Sequence, residues 1–356
     1  MSFSQTIFLT GFPGFIAERL VAQLSRSDVM FYMLVQPQFV EKAMASIEQI
    51  SARTNVPVEN FALVEGDITS DGLGMAAEDL ESLRRETTDV FHLAAVYDLA
   101  VERDLAFSVN LKGTQNVNEF CKSLPHLQRY NYISTCYVAG RRTGTILETE
   151  LDHEAGFRNF YEETKYLAEK EVEALKLTLP VTIFRPSVVV GDSETGETAK
   201  YDGIYYLIKY LLKAPNLLRI VNVGNRDVTL NLVPVDFVVD AIASLSRDPA
   251  AVGKTIAVAD PQPLTTAELF DVLSREMTGK GSFYTPPTAV VQSSLKMSIS
   301  PTLTGLPHSG VPYFFVSQEY DTSVADALLG PRGIRCPRFD EYAGNLVRFV
   351  RSHPDL

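Results

Sequence analysis

Tyr161 and Lys165 stand four residues apart in the stretch FYEETKYLAEK, residues 160–170. On a helix that spacing puts both side chains on one face, within reach of one small volume. The chemistry open to such a pair is proton transfer. A phenol titrates near pKa ~10, and a neighbouring ammonium favours the phenolate and lowers that value. The same spacing also serves an ordinary solvated helix face, since Glu162, Glu163, Lys165, Glu169 and Lys170 can form salt bridges along it. The elements that would position the pair therefore decide between the two.

Those elements alternate. Short β-rich runs at 6–10 (TIFLT), 29–35 (VMFYMLV), 61–66 (FALVEG), 89–95 (DVFHLAA), 130–135 (YNYIST) and 181–186 (VTIFRP) are separated by helical patterns. Continuous apolar strands with helices between them imply a parallel sheet covered on both faces, an α/β, Rossmann-like doubly wound fold. Beyond about Gly191 the rhythm changes to a polar loop, then the aromatic segment IYYLIKYLLK, and later a proline-containing stretch around Pro286 to Pro312. We expect a dinucleotide-binding domain over 1–190 and a smaller, mainly C-terminal substrate-binding region over 191–356. The two interleave, because VPVDFVVDAIASL reads as a helix with Asp236 as its N-cap and KTIAVAD as another strand, so parts of 230–260 join the first domain.

The first strand runs straight into TGFPGFIAERL, with Gly11, Gly14 and then Ala17 at the third small position. A strand, a glycine turn and a helix bring backbone amides close to a pyrophosphate, whose charge the helix N-terminus favours. The segment Thr10, Gly11, Phe12, Pro13, Gly14, Phe15 and Ile16 is the expected cradle. Other strand ends add to it: Asp67 and Ile68 after the third strand, Ala94 and Ala95 after the fourth, and Asn110 downstream in NLKGT. Ligands of open α/β sheets bind outside the carboxyl ends of the strands, where these residues fall. Taken singly, Asp67 also serves as a turn cap, Ala94 and Ala95 as packing, and His92 as a strand residue rather than a base.

Composition narrows the partners. The 356 residues are 46% hydrophobic and 21% charged, in the range of a chain that buries a sizeable core. The formal charge of −12, with 44 acidic against 32 basic residues and no basic block, argues against nucleic acid or an anionic membrane as partner. Three cysteines, Cys121, Cys136 and Cys336, show neither metal-ligand nor disulfide spacing. No metal is expected, and a reducing, cytoplasmic setting is. No apolar run approaches the ~18 residues of a membrane span.

In order along the first 190 residues, TGFPGFIA, HLAA, NLKGT, YISTCYVAG, YEETK and RPSVVVG resemble the extended short-chain dehydrogenase/reductases. With LVPVDFVVDAI and VVVGDSETGETAKYDG added, the chain is most similar to the branch of fatty acyl-CoA reductases and thioester-reductase domains. The resemblance implies a catalytic set of Thr135, Tyr161 and Lys165, supported by Asn110, and a nicotinamide wall of Pro186, Ser187 and Val188. Thr135 would hold the substrate oxygen while Tyr161 gives a proton and the carbonyl carbon receives hydride. It implies NADP(H), although Gln36 stands where the branch carries an arginine for the 2′-phosphate. No acidic residue ends strand two to hold a ribose diol, so NAD(H) stays open.

The activity so implied is reduction of an acyl thioester, on coenzyme A or an acyl carrier protein, to an aldehyde, with onward reduction to an alcohol left open. The alternatives are an oxidoreductase of free carbonyls or secondary alcohols, a sugar-nucleotide epimerase, and a nonenzymatic nucleotide sensor. Tyr97, Cys136, Tyr201 and Tyr205 are candidate substrate contacts, with Tyr201 to Leu212 either lining an acyl groove or forming a core helix. Cys136 is either an acyl acceptor or a small packed residue. Arg141 and Arg142 are candidates for steering an anionic carrier, and a homodimer is compatible with the resemblance.

Overall fold

The computed structural model describes residues 3–213, 222–282, 284–286, 311–314 and 316–356. Most of the proline-containing stretch expected after Pro286 lies outside the described residues.

Seven parallel strands form the central sheet, in the order β10-β7-β5-β4-β1-β2-β3. They are β1 (Gln5–Thr10), β2 (Val29–Val35), β3 (Phe61–Glu65), β4 (Asp89–His92), β5 (Arg129–Ile133), β7 (Val181–Pro186) and β10 (Thr255–Val258). Two short parallel pairs lie beside it. One joins β6 (Gly144–Ile146) to β11 (Gln318–Tyr320), the other β8 (Val188–Val190) to β9 (Leu232–Pro234). The chain order reverses between β1 and β4, and a crevice for ligands opens at such a switch point.

The sheet is buried on both faces because its strands alternate apolar side chains to either side. Ile7 and Leu9 of β1 enter one core with α1 (Phe15–Leu24), α2 (Val40–Thr54) and α8 (Val235–Leu245). Phe8 enters the other, with Val117, Phe120 and Cys121 of α5 (Gly113–Lys122) and Ala168 and Val172 of α6 (Phe160–Leu175). Helix α3 (Ala77–Glu86) adds Leu83 to that second core, and a short helix α4 (Arg103–Ala106) runs through a π-helical turn, Phe107–Lys112, into α5. The KTIAVAD segment becomes the edge strand β10, so the C-terminal half does return to the sheet.

A third core unites α7 (Ile204–Lys213), α9 (Thr266–Thr278) and α11 (Phe339–Ser352). A further helix, α10 (Ser323–Leu329), packs into the first core through Ala325 and Leu329. Helix α8 begins one residue before Asp236, and Pro234 is its N-cap. Asp236 is not the cap expected of it. Its carboxylate accepts from the amide and the hydroxyl of Ser193, tying the helix to the loop after β8. Among the described residues, no helix is long and apolar enough to cross a membrane.

Candidate active site at the carboxyl ends of the strands

Gly11 has φ +93°, a conformation that only glycine adopts without strain. A Cβ there would lie 2.8 Å from the Ala94 amide nitrogen, and one on Gly14 would lie 2.6 Å from the Gly11 carbonyl oxygen. The turn is thus packed tightly against the end of β4. It leads directly into α1, whose N-cap Gly14 brings no side chain to its exposed amides. Such a cradle fits a pyrophosphate, with Gly14, Phe15 and Ile16 at the helix start. Within it, Thr10 and Phe12 turn inward. Thr10 is fully buried and its hydroxyl meets His92, while Phe12 packs into the first core, so both offer backbone only. Sequence reading missed Lys42, which donates to the Pro13 carbonyl at 3.3 Å and places a cation beside the turn. Its position on α2 carries no local signal for that contact.

At the ends of β2 and β3, Gln36 donates to Asp67 at 2.7 Å and accepts from Gln38 at 2.8 Å. Burial raises the Asp67 pKa, but hydrogen bonds from the Thr69 backbone and side chain and from Gln36 outweigh it and hold the carboxyl below its ordinary value. Ile68 faces α5, where a Cβ on Gly113 would approach its Cδ1 to 2.6 Å. Ala94 and Ala95 follow β4, and the Ala94 amide donates to Thr10. Asn110 sits in the π-helical turn, its side chain bonded to the backbone of Val96 at both ends and to Thr164. Its side chain holds the loop after β4 against α6.

Helix α6 is capped by Asn159, whose side chain accepts from the Glu162 amide at 2.9 Å. This start places Tyr161 and Lys165 against β5. Thr135, just past that strand, accepts from the Tyr137 amide at 3.2 Å, and its hydroxyl lies near the Tyr161 phenol. Burial pushes the Tyr161 pKa up to about 12, with Thr135 pulling the other way. The expected lowering by Lys165 is therefore not found. The lysine reaches instead to Tyr132 at 3.1 Å and the Ile133 carbonyl at 2.9 Å, and burial lowers its own pKa to about 8 against the pull of Glu169. A phenol so raised stays protonated at neutral pH, which suits a proton donor.

Ser187 donates to the Asn231 carbonyl at 2.7 Å, and Val188 opens β8 two residues after Pro186. Ser187 and Val188 line a small cleft together with Tyr137, Tyr313, Gln318 and Tyr320. Tyr313 was not foreseen. Its ring stacks on Tyr137 with centroids 4.6 Å apart, and its phenol donates to Glu162 at 2.6 Å and accepts from Asn159 at 2.8 Å.

Three of the expected substrate contacts lie elsewhere. Tyr201 and Tyr205 are buried in the third core, where Tyr201 donates to the His353 carbonyl and Tyr205 accepts from the Gly191 amide. The amphipathic pattern of α7 is that of a core helix. Cys136 is buried, donates to the Arg185 carbonyl, and is pushed well above the ordinary thiol range by burial, which leaves no nucleophilic thiolate. Tyr97 is exposed, with the Lys200 ammonium 5.0 Å from its ring centroid. Of the two arginines, Arg142 is committed to an ion pair with Glu150, and Arg141 is exposed. Arg185 is structural, bonded to Glu169 at 2.6 Å.

Residues 9–242 match the sequence profile of the NAD-binding family described as male sterility protein. The chain belongs to that family, within the extended short-chain dehydrogenase/reductases. It is 25% identical over 281 residues to the fatty acyl-CoA reductase wat of Drosophila melanogaster, covering 68% of this chain and 54% of that protein. It is 27% identical over 274 residues to the non-canonical nonribosomal peptide synthetase cpsA of Aspergillus campestris, covering 72% of this chain and 26% of that one. The chain thus spans about half or less of the length of these relatives. Its fold is similar to that of the terminal R domain from the myxalamid PKS-NRPS biosynthetic pathway, at TM-score 0.81 and 24% identity, over 100% of this chain and 92% of that one.

Proposed function

We propose that the protein is an NAD(P)H-dependent reductase of acyl thioesters, NADP(H) being preferred and NAD(H) accepted. Its substrate would be an acyl group on coenzyme A or an acyl carrier protein. The observation that carries this reading is the placing of the Thr135 hydroxyl beside a protonated, half-buried Tyr161 at the end of β5, on the same side of the sheet as the glycine turn. Support also comes from the similarity to the fatty acyl-CoA reductase wat of Drosophila melanogaster. In this reading residues 1–190 hold the dinucleotide and 191–356 supply much of the substrate side.

The Gly11–Ile16 turn would hold the pyrophosphate, the Asp67 and Gln36 rim the adenosine, and Ser187 and Val188 the nicotinamide. When bound, the reduced dinucleotide supplies the hydride. Thr135 and Tyr161 together present two hydroxyls to the thioester carbonyl oxygen. As the carbonyl carbon gains hydride, Tyr161 gives its phenolic proton to that oxygen, yielding a hemithioacetal. Tyr161 takes the proton back as the carbon–sulfur bond breaks. The aldehyde forms, and the thiolate takes a proton from water. A second round on the aldehyde gives the alcohol.

Stopped-flow hydride transfer with acyl-CoA, acyl carrier protein and free ketones, with products identified by mass spectrometry, tests this. Tyr161→Phe should bind the dinucleotide normally and lose most turnover. Thr135→Ala should slow hydride transfer by ~10²–10³, the usual loss of one oxyanion donor. Turnover of ketones but not thioesters would replace the thioester reading with the free-carbonyl one.

A further inference from the structure

Behind Lys165 lies a buried polar cluster, two hydrogen-bonded runs joined by the contact of the Tyr132 and His92 rings, in which the His92 proton can be assigned. Lys165 donates to the Tyr132 oxygen, and the Tyr132 ring packs against the His92 ring with centroids 5.5 Å apart, its hydroxyl near Thr114. The Thr114 hydroxyl donates to the Asn110 carbonyl at 2.7 Å, which leaves its oxygen to accept from His92 Nε2 at 3.0 Å. His92 must then carry its proton on Nε2. Its Nδ1 accepts from the Thr10 hydroxyl at 2.7 Å, and the Thr10 oxygen accepts the Ala94 amide at 3.2 Å. Thr10 is the residue before the glycine turn, and Lys165 lies one helical turn beyond Tyr161. Every side chain between them is almost wholly buried.

We propose that Tyr132, Thr114 and His92 are positioning residues that set Lys165 in register with the dinucleotide turn. In a low-dielectric interior, reversing the His92 proton would leave a buried donor or acceptor without its partner, so the cluster has one favoured arrangement. The His92 ring is kept neutral by burial, reinforced by the Lys165 charge, which brings its pKa down to about 3. A neutral imidazole has one proton to place, and the Thr114 oxygen is where it goes. The ionisable groups facing the lysine end are Glu169 and Tyr161 on α6, Tyr132 on β5 and His92 on β4, with Arg185 of β7 held by Glu169. Tyr132 accepting from the amine favours its charged form, so losing that acceptor makes Lys165 give up its proton more readily.

The proposal rests on Lys165 serving the active site, and its deciding NMR tests use no substrate, so it fails independently of the reductase reading. Nitrogen-15 NMR of the cofactor-free protein, with His92→Gln assigning the signal, should find the Nε2–H tautomer near neutral pH. The Nδ1–H tautomer or a charged ring would overturn this arrangement. Carbon-13 NMR of labelled lysine, assigned with Lys165→Gln, should move the Lys165 titration down by about half a pH unit or more in Tyr132→Phe. An unmoved or upward titration in a Tyr132→Phe protein that melts cooperatively would refute the positioning role. Thr114→Val should mix the His92 tautomers, and Thr114→Ser, which keeps the hydroxyl, should restore the single one. In the thioester assay, Tyr132→Phe should lower kcat roughly tenfold with little change in KM, as expected for a lost hydrogen bond to a charged group.

Discussion

The Gln36 carboxamide donates to the Asp67 carboxylate at 2.7 Å, joining the ends of β2 and β3 where the adenosine ribose would lie. That contact changes what an arginine at position 36 can do. Its guanidinium would pair with Asp67 before it reached a phosphate, because a carboxylate offers it a bidentate partner at once. Gln36→Arg alone should therefore strengthen NADPH binding only slightly. Adding Asp67→Asn frees the guanidinium and removes a like charge, and the double variant should favour NADPH over NADH by roughly tenfold more than the parent. Fluorescence titrations with both nucleotides check this. Equal changes for the two would mean that the rim faces away from the 2′ position.

Lys165 is charged at neutral pH in a setting that disfavours its charge, so its burial lowers stability there. Its pKa falls from 10.5 in the open chain to about 8 in the fold. Below about 8 both states hold the proton and the full penalty, about 3 kcal/mol, applies. As pH rises toward 10.5 the folded lysine is neutral while the unfolded one still binds its proton, and the penalty disappears. Lys165→Met should be more stable than the parent at pH ~7, with the advantage shrinking steadily toward pH ~10. Denaturant midpoints across that range measure it. A constant difference would show that the ammonium is well solvated or paired.

How much of this was legible in the sequence depends on the range of each contact. β2 and β7 were read with their full bounds, because strands covered on both faces are written as unbroken apolar runs. The glycine turn and the Tyr161–Lys165 spacing were equally local. Asp236 was misjudged because a carboxylate at a helix start reads as a cap, and its true partner, Ser193, belongs to a distant loop. Tyr201 and Tyr205 were misplaced for a related reason. An aromatic amphipathic helix looks the same whether its apolar face meets a ligand or a core, and only the partners of the hydroxyls, the His353 carbonyl and the Gly191 amide, settle which. Tyr313 and Glu162 meet across most of the chain's length, and no spacing within either segment announces it.

Glu169 and Arg185 form a fully buried pair that fastens α6 to β7, with the Ser134 hydroxyl donating to the other carboxylate oxygen. Arg185 also donates to the carbonyls of Glu148 and Glu150. Glu169→Ala leaves the guanidinium buried without its counter-charge. It should lower unfolding free energy by about 3–5 kcal/mol, as breaking one side of a buried pair does. Chemical denaturation tests this, and a loss below about 1 kcal/mol would mean that Arg185 finds compensation among those carbonyls.

Tyr313 links the C-terminal region to both ends of the proposed catalytic set. Its ring stacks on Tyr137, whose amide donates to Thr135, and its phenol donates to Glu162, the neighbour of Tyr161. Glu162 is fully buried and also accepts from the Arg158 amide at 2.8 Å and the Arg158 guanidinium at 3.2 Å, so the phenol completes its hydrogen bonding. The two functions separate by substitution. Tyr313→Phe keeps the stacked ring and removes only the donor; it should lower turnover on all substrates by a similar factor of roughly ten to a hundred, the usual effect of one hydrogen bond to a charged group. Tyr313→Ala also opens the cleft that Tyr137, Ser187 and Val188 share with it. It should shift preference toward longer acyl chains, by up to about tenfold in relative kcat/KM for each pair of methylenes the enlarged cleft buries. Assays across an acyl-length series compare the two variants. A uniform loss in both, with no change in length preference, would make Tyr313 a brace for Glu162 and place the acyl chain outside this cleft.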